Sequence, residues 1–206
     1  MQLNMKKIGF NIIRLLIRIL MPLFYRVTIK KDQDSKELNS QAVVYACNHV
    51  SYVDAFFLAL AIDRPVRFIM YYKIYNLPIL NFIFKNLGAI PIAGYREDKE
   101  IFNNAFKEIE LTLKRNGAIF IFPEGALTYD GKMVPFKKGI EKIIKTTPVP
   151  VIPIALNGLW GSIFSRHKNK LKTNHILRKI EVSVGKPIDP QVANIQTIQK
   201  KVHELL

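Results

Sequence analysis

Residues 42–54 read AVVYACNHVSYVD, an apolar run that passes directly into polar residues. The first six residues are typical of a buried strand, and the segment from Ser51 to Ile62 is predicted to be a helix. A second stretch of this kind, AIFIFPEG, occupies residues 118–125. Buried strands that end in polar residues indicate an α/β domain, in which functional side chains gather at the carboxyl ends of strands.

Further strands and helices alternate along the rest of the chain. The other predicted strands are Tyr25–Lys30, Val66–Met70, Gly88–Ala93, Val149–Leu156 and Lys179–Val184, and the other predicted helices are Leu77–Asn86, Glu97–Arg115, Lys137–Lys145 and Pro190–Leu206. This alternation predicts an α/β fold with a mostly parallel central sheet flanked by helices. The α/β domain is expected to comprise residues 26–206 and to follow an amino-terminal helix within residues 1–25.

The chain is strongly basic. Its 206 residues include 31 Lys and Arg against 16 Asp and Glu, a net charge of +15. Such a surface attracts an anionic partner, which could be a nucleic acid, a membrane leaflet, or an acidic carrier or substrate. The single cysteine, Cys47, excludes an internal disulfide framework and a metal cage of several cysteines.

The amino-terminal segment is apolar apart from a few polar residues. On a helix, Lys7, Asn11, Arg14 and Arg18 fall on one stripe, and isoleucine and leucine fill the remaining surface. This pattern is typical of a helix in the membrane interface with its cations at the lipid headgroups, because a spanning helix would have to bury Arg14 and Arg18. The alternative is a terminal helix docked on the core.

His49 and Asp54 are candidates for acid–base chemistry at the end of the first strand. Residues five apart within a helix point about 140° away from each other, so these two meet only if His49 precedes the helix and Asp54 lies in its first turn. Ser51 and Asp54 fit the S-x-x-D form of a capping box. The carboxylate could then fix the imidazole tautomer while the other ring nitrogen accepts a proton. The alternative is that Asp54 only caps the helix.

Glu124 follows the second buried strand, at the same topological position as the first candidate site. Pro123 ends the strand and Gly125 permits a positive φ. Glu124 could organise a polar pocket, bind a substrate hydroxyl, or hold its loop by accepting backbone hydrogen bonds. Lys137 and Lys138 precede a predicted helix start, where cations and free backbone N–H groups together suit a phosphate.

Four blocks of the sequence together resemble those of the glycerolipid acyltransferases, a family that includes the bacterial 1-acyl-glycerol-3-phosphate acyltransferases. In chain order the blocks are NHVSYVD at 48–54, GAIPIAG at 88–94, FPEG at 122–125 and VPVIPIA at 149–155. The resemblance extends from about Val27 to Ile188. It implies an α/β fold whose helical amino terminus enters one leaflet of the membrane.

The resemblance also implies roles for the site residues. It makes His49 the general base that deprotonates the acceptor hydroxyl and Asp54 the residue that orients it, after which the alkoxide attacks an acyl thioester. Glu124 and Gly125 resemble the acceptor-binding loop, and Asn48 helps by fixing the turn or donating a hydrogen bond. No metal and no bound cofactor are implied, because acyl-CoA or acyl carrier protein is a co-substrate.

Two departures from the family pattern concern the acceptor. The second block usually ends in an Arg that binds acceptor phosphate, whereas this chain has Gly94 there, with Arg96 as a candidate replacement two residues later. The third block often continues Thr-Arg, where this chain has Ala126 and Leu127. The expected acceptor is 1-acyl-glycerol-3-phosphate, giving phosphatidic acid in phospholipid biosynthesis. The alternative is another lysophospholipid, such as lysophosphatidylethanolamine.

Two other classes of protein fit the sequence less well. A basic nucleic-acid-binding module would share the charge, but the phenylalanines at residues 56–57 and 120–122 lie in apolar runs typical of a core. A non-catalytic lipid-binding protein is disfavoured by the intact His49 and Asp54. The expected partners are a lysophospholipid, an acyl donor and a membrane surface, without nucleic acid, and the expected location is the cytoplasmic face of the inner membrane.

Overall fold

The computed structural model describes residues 2–169 and 177–206, with side chains from residue 11 onward except those of Ile13, Lys36 and Asn39. The strands are β1 (Tyr25–Lys31), β2 (Val43–Cys47), β3 (Arg67–Tyr71), β4 (Ile90–Ile92), β5 (Ala118–Ile121), β6 (Val151–Asn157) and β7 (Arg178–Val184). The helices are α1 (Gln2–Phe24), α2 (Asp34–Glu37), α3 (Asp54–Ala61), α4 (Tyr72–Tyr75), α5 (Leu80–Leu87), α6 (Lys99–Lys114), α7 (Gly139–Thr146) and α8 (Ile195–His203), and a 3₁₀ turn spans Leu38–Ser40.

Within the described residues the strands form one seven-stranded sheet in the order β1-β7-β6-β2-β5-β3-β4. Strands β2 to β6 are parallel to one another, whereas β7 pairs antiparallel with β6 and parallel with β1. The predicted mostly parallel sheet is therefore confirmed. Because β6, β2 and β5 are neighbours with the same direction, their carboxyl ends lie side by side at one edge of the sheet.

Helices cover both faces of this sheet, as the alternating side chains of β2 show. Val43, Tyr45 and Cys47 belong to one hydrophobic core, which includes side chains of α1 and α3. Val44 and Ala46 belong to a second core, which includes side chains of α6, α7 and α8. A strand that is buried on both faces has a continuous apolar sequence, so the pattern of residues 42–47 follows from this position.

Helix α3 is apolar on all its sides because it lies between the sheet and α1. Phe57 and Leu58 are completely buried, and Ile17 of α1 packs into the same core. A helix that is apolar all round is stable only where neighbours enclose it. The amino-terminal helix therefore completes the first core.

Arg14 is not at the lipid headgroups, where the sequence pattern placed it. Its guanidinium bonds the carboxylate of Asp63 and the carbonyl of Leu60, and its side chain is only 13% exposed. Lys31 bonds the same carboxylate. A cation that faces the protein interior needs a paired anion, and Asp63, just after α3, supplies it. Arg18 is exposed, and the side chain of Lys7 lies outside the described residues, so their headgroup contacts remain predictions.

Several predicted boundaries differ from the structure for local reasons. Helix α3 begins at Asp54 instead of Ser51, because residues 51–53 form a turn. The last helix begins at Ile195 instead of Pro190, because the Asn194 side chain caps it by accepting a bond from the Thr197 N–H. The short helices α2 and α4 and the 3₁₀ turn were not predicted, since three or four residues give no periodicity.

Helix α1 continues directly into β1 at Tyr25, so the predicted domain division after residue 25 falls close to this junction. The division into two separate units remains a prediction. A bilayer-spanning helix, judged by length and hydropathy, is not found in the described part of the chain.

Candidate active site

His49 and Asp54 meet at the carboxyl end of β2, as the sequence predicted. His49 lies in the turn after the strand, Asp54 is the first residue of α3, and Nδ1 of the imidazole is 2.9 Å from Oδ2 of the carboxylate. The Asp54 side chain is completely buried, whereas that of His49 is 22% exposed. The other ring nitrogen, Nε2, bonds no residue that the structure describes. The pair thus has the geometry of an oriented base whose free nitrogen a substrate can reach.

Asp54 also holds the turn that carries His49. Its Oδ2 accepts the backbone N–H groups of Val50 at 2.8 Å and Ser51 at 3.0 Å. The bond to Ser51 is one half of the predicted capping box, but the Ser51 hydroxyl accepts from the Val53 N–H at 3.3 Å instead of the Asp54 N–H. Burial raises the pKa of the Asp54 carboxyl, and the hydrogen bond from His49 opposes this shift. Orientation and capping therefore use the same oxygen.

Glu124 fixes the backbone of His49 from the neighbouring strand. One carboxylate oxygen accepts the His49 N–H at 2.7 Å, and the other accepts the Val134 N–H at 2.8 Å. The side chain is buried, and this burial raises the pKa of the carboxyl. The Thr128 N–H donates to the His49 carbonyl at 3.0 Å, so the loop holds both sides of the peptide. The sequence left open whether Glu124 organises a pocket, binds a substrate hydroxyl or holds its loop. These contacts show that it holds the loop.

Replacing Glu124 with glutamine is expected to lower the free energy of unfolding by about 1–3 kcal/mol. An amide has one acceptor oxygen, so the N–H of either His49 or Val134 would be left buried without a partner. Denaturant unfolding would measure the change. Glu141→Gln on α7, where the carboxylate pairs with the exposed Lys145, is the matched control and should change stability by less than about 0.5 kcal/mol. Equal stability of the two variants would contradict this role of Glu124.

Phe122 supports the imidazole directly, a role that sequence reasoning missed. Its ring stacks on that of His49 with 3.9 Å between centroids and 14° between planes. Phe122 in turn packs edge-on against Phe120 of β5. Its place directly after an apolar strand made it look like an ordinary core residue. Ring stacking and the Asp54 bond together fix the direction of the free nitrogen.

Cys47 ends β2 and Asn48 follows it, and both side chains are buried. The Asn48 side chain accepts from the Leu156 N–H at 2.8 Å and donates to the Leu156 carbonyl at 3.0 Å. These bonds fix the turn against β6, which is one of the two roles predicted for Asn48, and a hydrogen bond from Asn48 to a substrate remains a prediction. Cys47 is completely buried, and burial raises the pKa of its thiol well above the usual value. A thiol in that state is a poor nucleophile.

Gly125 and Lys137 are in close contact. Gly125 has a φ of +67°, and a Cβ at this position would lie 2.8 Å from Nζ of Lys137. The Lys137 N–H also donates to the Pro123 carbonyl at 2.9 Å. The structure therefore places the ammonium group against the loop that holds His49. Lys138 is exposed at the start of α7.

Arg96 is exposed in the turn after β4. Three strand spacings separate β4 from β2, a distance of about 14 Å across the sheet. A side chain added at Gly94 would meet only Glu97, at 3.8 Å. Arg96 is thus on the same sheet edge as His49 but not beside it, and its contact with a substrate remains a prediction.

Arg166 is a cation close to the site, and sequence reasoning missed its position there. The residues just before Arg166 pair with the turn between His49 and Asp54. In this pairing the Tyr52 N–H donates to the Phe164 carbonyl at 3.1 Å. The guanidinium donates to the Leu127 carbonyl at 3.2 Å and lies 4.5 Å from the centre of the Tyr129 ring. It pairs with no carboxylate among the described residues. In the sequence it is only the first residue of a basic run.

Most of the chain resembles known proteins. The acyltransferase family model matches residues 26–157, which include both strand-end loops. A chloroplastic 1-acyl-sn-glycerol-3-phosphate acyltransferase of Brassica napus is 30% identical over 165 residues, covering 80% of this chain and 46% of that protein. A probable enzyme of the same name from Mycoplasma pneumoniae is 24% identical over 160 residues, covering 73% and 58%. The chain thus spans about half the length of these curated relatives.

The fold has a counterpart of known structure. The crystal structure of the 1-acyl-sn-glycerophosphate acyltransferase PlsC from Thermotoga maritima matches 95% of this chain and 75% of its own length, with a TM-score of 0.69 and 24% sequence identity. This likeness shows the fold. Because the family model covers more than half of the sequence, including His49, Asp54 and Glu124, the chain belongs to the acyltransferase family.

Proposed function

We propose that this protein is an O-acyltransferase that moves a fatty acyl group from an acyl thioester to the free hydroxyl of a lysophospholipid. The observation that carries the proposal is the 2.9 Å contact between His49 Nδ1 and Asp54 Oδ2, together with the partial exposure of the His49 side chain. Membership of the acyltransferase family supports this reading of the pair.

The reaction follows from the orientation of the imidazole. Nδ1 carries its proton toward Asp54, so Nε2 is the basic nitrogen and takes the proton from the acceptor hydroxyl. The oxygen bonds to the thioester carbonyl carbon, the carbon–sulfur bond then breaks, and the thiol leaves with the proton held by His49. Asp54 stabilises the imidazolium that forms between these steps. No metal, bound cofactor or acyl-enzyme takes part.

The favoured acceptor is 1-acyl-glycerol-3-phosphate, which would give phosphatidic acid. Enzymes named for this substrate are among the relatives. Lys137 and Arg166 place cations against the loop of residues 122–130, and neither cation pairs with a carboxylate among the described residues. Such cations suit a phosphate monoester. Lys138 and Arg96 extend this positive surface. Lysophosphatidylethanolamine is the alternative acceptor, because the family's Arg positions hold Gly94 and Leu127.

Arg166→Gln is expected to raise KM for lysophosphatidic acid about 10- to 100-fold, which corresponds to the free energy lost with one hydrogen bond to a charged group. The effect on a zwitterionic lysolipid should be several-fold smaller, since that headgroup has less negative charge. Steady-state kinetics with both acceptors would measure the ratio. Arg115→Gln, at the exposed end of α6, is the matched control. An equal change for both acceptors would argue against a phosphate contact at Arg166.

The donor is acyl-CoA or an acyl carrier protein, both of which are anionic and attracted by the net charge of +15.

The lipid acceptor requires contact with a membrane. We place the protein on the cytoplasmic leaflet of the cell membrane, with α1 exposing a row of large apolar side chains that docking on α3 leaves uncovered. These side chains belong to Ile12, Leu15, Leu16, Ile19, Leu20 and Leu23.

The test is acyl transfer by the detergent-purified protein to a panel of lysophospholipids, with acyl-CoA and acyl carrier protein as alternative donors. Faster acylation of lysophosphatidic acid than of the zwitterionic acceptors would support the proposed substrate. Preference for lysophosphatidylethanolamine would make the alternative acceptor correct. Binding of lipid without product from any acceptor would exclude the enzymatic proposal.

A further inference from the structure

Helix α5 and the residues before it expose an unusual number of large apolar side chains. Ile79 is 86% exposed and Phe82 is 76% exposed, and no described residue of α5 is buried. The other exposed members are Ile74, Leu77, Leu80 and Ile83. A surface helix normally hides one apolar face against the core. Exposed apolar patches of this extent mark sites of interaction.

This surface lies next to the uncovered side of α1. The two helices are in contact, and α1 turns Arg14 and Ile17 toward the protein while its opposite side remains apolar and exposed. Two neighbouring helices therefore both expose large apolar side chains. Residues 74–83 are called the α5 surface below.

The charged residues of α1 and of the segment that contains the α5 surface are all basic, and one of them, Lys73, pairs with the carboxylate of Glu97. Residues 1–31 and 64–96 contain no Asp or Glu, and Arg18 and Lys85 are exposed. An anionic lipid leaflet complements such a border. A second copy of the chain, joined by two-fold symmetry, would bring the same cations face to face. Charge complementarity therefore favours lipid as the occupant.

We propose that the α5 surface is a second membrane contact, separate from α1, which inserts Ile79 and Phe82 into one leaflet of anionic lipid. Helix α4 follows β3 without a break, and β3 ends at the sheet edge where His49 lies. Lipid contact at α5 as well as α1 would hold that edge against the leaflet that contains the acceptor. The inference deepens the proposed function and rests on its membrane location.

A fluorescent probe at position 82 tests the contact. Phe82→Cys can be labelled selectively with a nitrobenzoxadiazole reagent, because the native Cys47 is buried and its thiol pKa is raised. The labelled protein is mixed with vesicles of phosphatidylcholine and phosphatidylglycerol that contain a brominated lipid. We expect a blue shift and quenching at position 82, and neither at Leu111→Cys, an exposed apolar position on α6. Vesicle binding without quenching at position 82 would overturn the proposal, as would a lipid-independent blue shift that grows with protein concentration.

A substitution gives an independent measure. Ile79→Ser combined with Phe82→Ser should weaken binding to these vesicles at least about tenfold, since two large apolar side chains are lost. Leu111→Ser combined with Val192→Ser, also exposed, is the matched control and should bind as the wild type does. Equal binding by both variants would overturn the proposal.

Activity in detergent separates this inference from the proposed function. The Ile79→Ser and Phe82→Ser variant should acylate a short-chain, water-soluble lysolipid at the wild-type rate, because neither residue contacts the site. Loss of vesicle binding with retained turnover supports both proposals. Lipid quenching of the labelled Phe82→Cys variant, together with no acyl transfer by the wild type, would support the membrane contact and refute only the enzymatic function.

Discussion

His49→Ala is expected to lower kcat for acyl transfer by about 10²–10⁴-fold, the usual contribution of a general base. Alanine removes the only ring nitrogen that could take the hydroxyl proton, but leaves the backbone contacts with Glu124 and Thr128 in place. The KM values of acceptor and donor should therefore change much less than kcat. Initial rates over a range of both substrates would measure the two constants.

The fold of this variant must be shown to be intact. His203→Ala, on the exposed end of α8, is the matched control and should keep the wild-type rate. Circular dichroism and thermal unfolding would compare the two variants. A His49→Ala protein that is folded and turns over at the rate of the control would exclude His49 as the base.

Asp54→Asn is expected to reduce kcat by about 10²–10⁴-fold while keeping most of the stability. An amide oxygen at the Oδ2 position can still accept the Val50 and Ser51 N–H groups. The negative charge that stabilises the imidazolium is lost. The other carboxylate oxygen, Oδ1, is buried without a hydrogen-bond partner. In the variant the amide nitrogen takes the place of Oδ1, so the number of buried polar atoms without a partner does not change. Kinetics and denaturant unfolding on the same sample would separate rate from stability.

Asp54→Ala provides the contrast. It leaves two buried backbone donors without an acceptor, each at a cost of about 1–3 kcal/mol, so it should lower stability as well as rate. A slow but stable Asn variant beside a slow and unstable Ala variant would show that Asp54 has both roles. Near wild-type turnover of Asp54→Asn would mean that the carboxylate only caps α3.

The sequence predicts the contact between His49 and Asp54 because its geometry is local. His49 and Asp54 are five residues apart and joined by a tight turn, so helix geometry alone limits how they can meet. The buried strands before them are equally clear, since a strand enclosed on both faces has to be apolar throughout. Helical periodicity likewise locates α6, although its capping residue, Asp98, shortens it at the start.

The contacts that depend on distant parts of the chain could not be predicted. The hydrogen bond from the His49 N–H to Glu124 requires β5 to lie beside β2. A local sequence pattern does not predict which strands pair. Arg166 reaches the site through an antiparallel pairing of Ser165 with Ser51. Such pairings follow from the whole topology, so the cations near the candidate site were only partly identified from the sequence.

The inward position of Arg14 shows a limit of helical patterns. The pattern correctly separates a polar stripe from an apolar surface on α1. The pattern alone does not predict which cation of the polar stripe pairs with a carboxylate of the protein. Asp63 lies far from Arg14 in sequence and turns it toward the protein, while the apolar side remains outside.

A labelled acyl group distinguishes direct transfer at His49 from an acyl-enzyme. The purified protein is first incubated with a radiolabelled acyl thioester alone, and lysophosphatidic acid is then added. Direct attack by a hydroxyl activated at His49 predicts no label on the protein in the first step, label in phosphatidic acid in the second, and product near background with His49→Ala. Stable label on the protein, or undiminished transfer by His49→Ala, would contradict it.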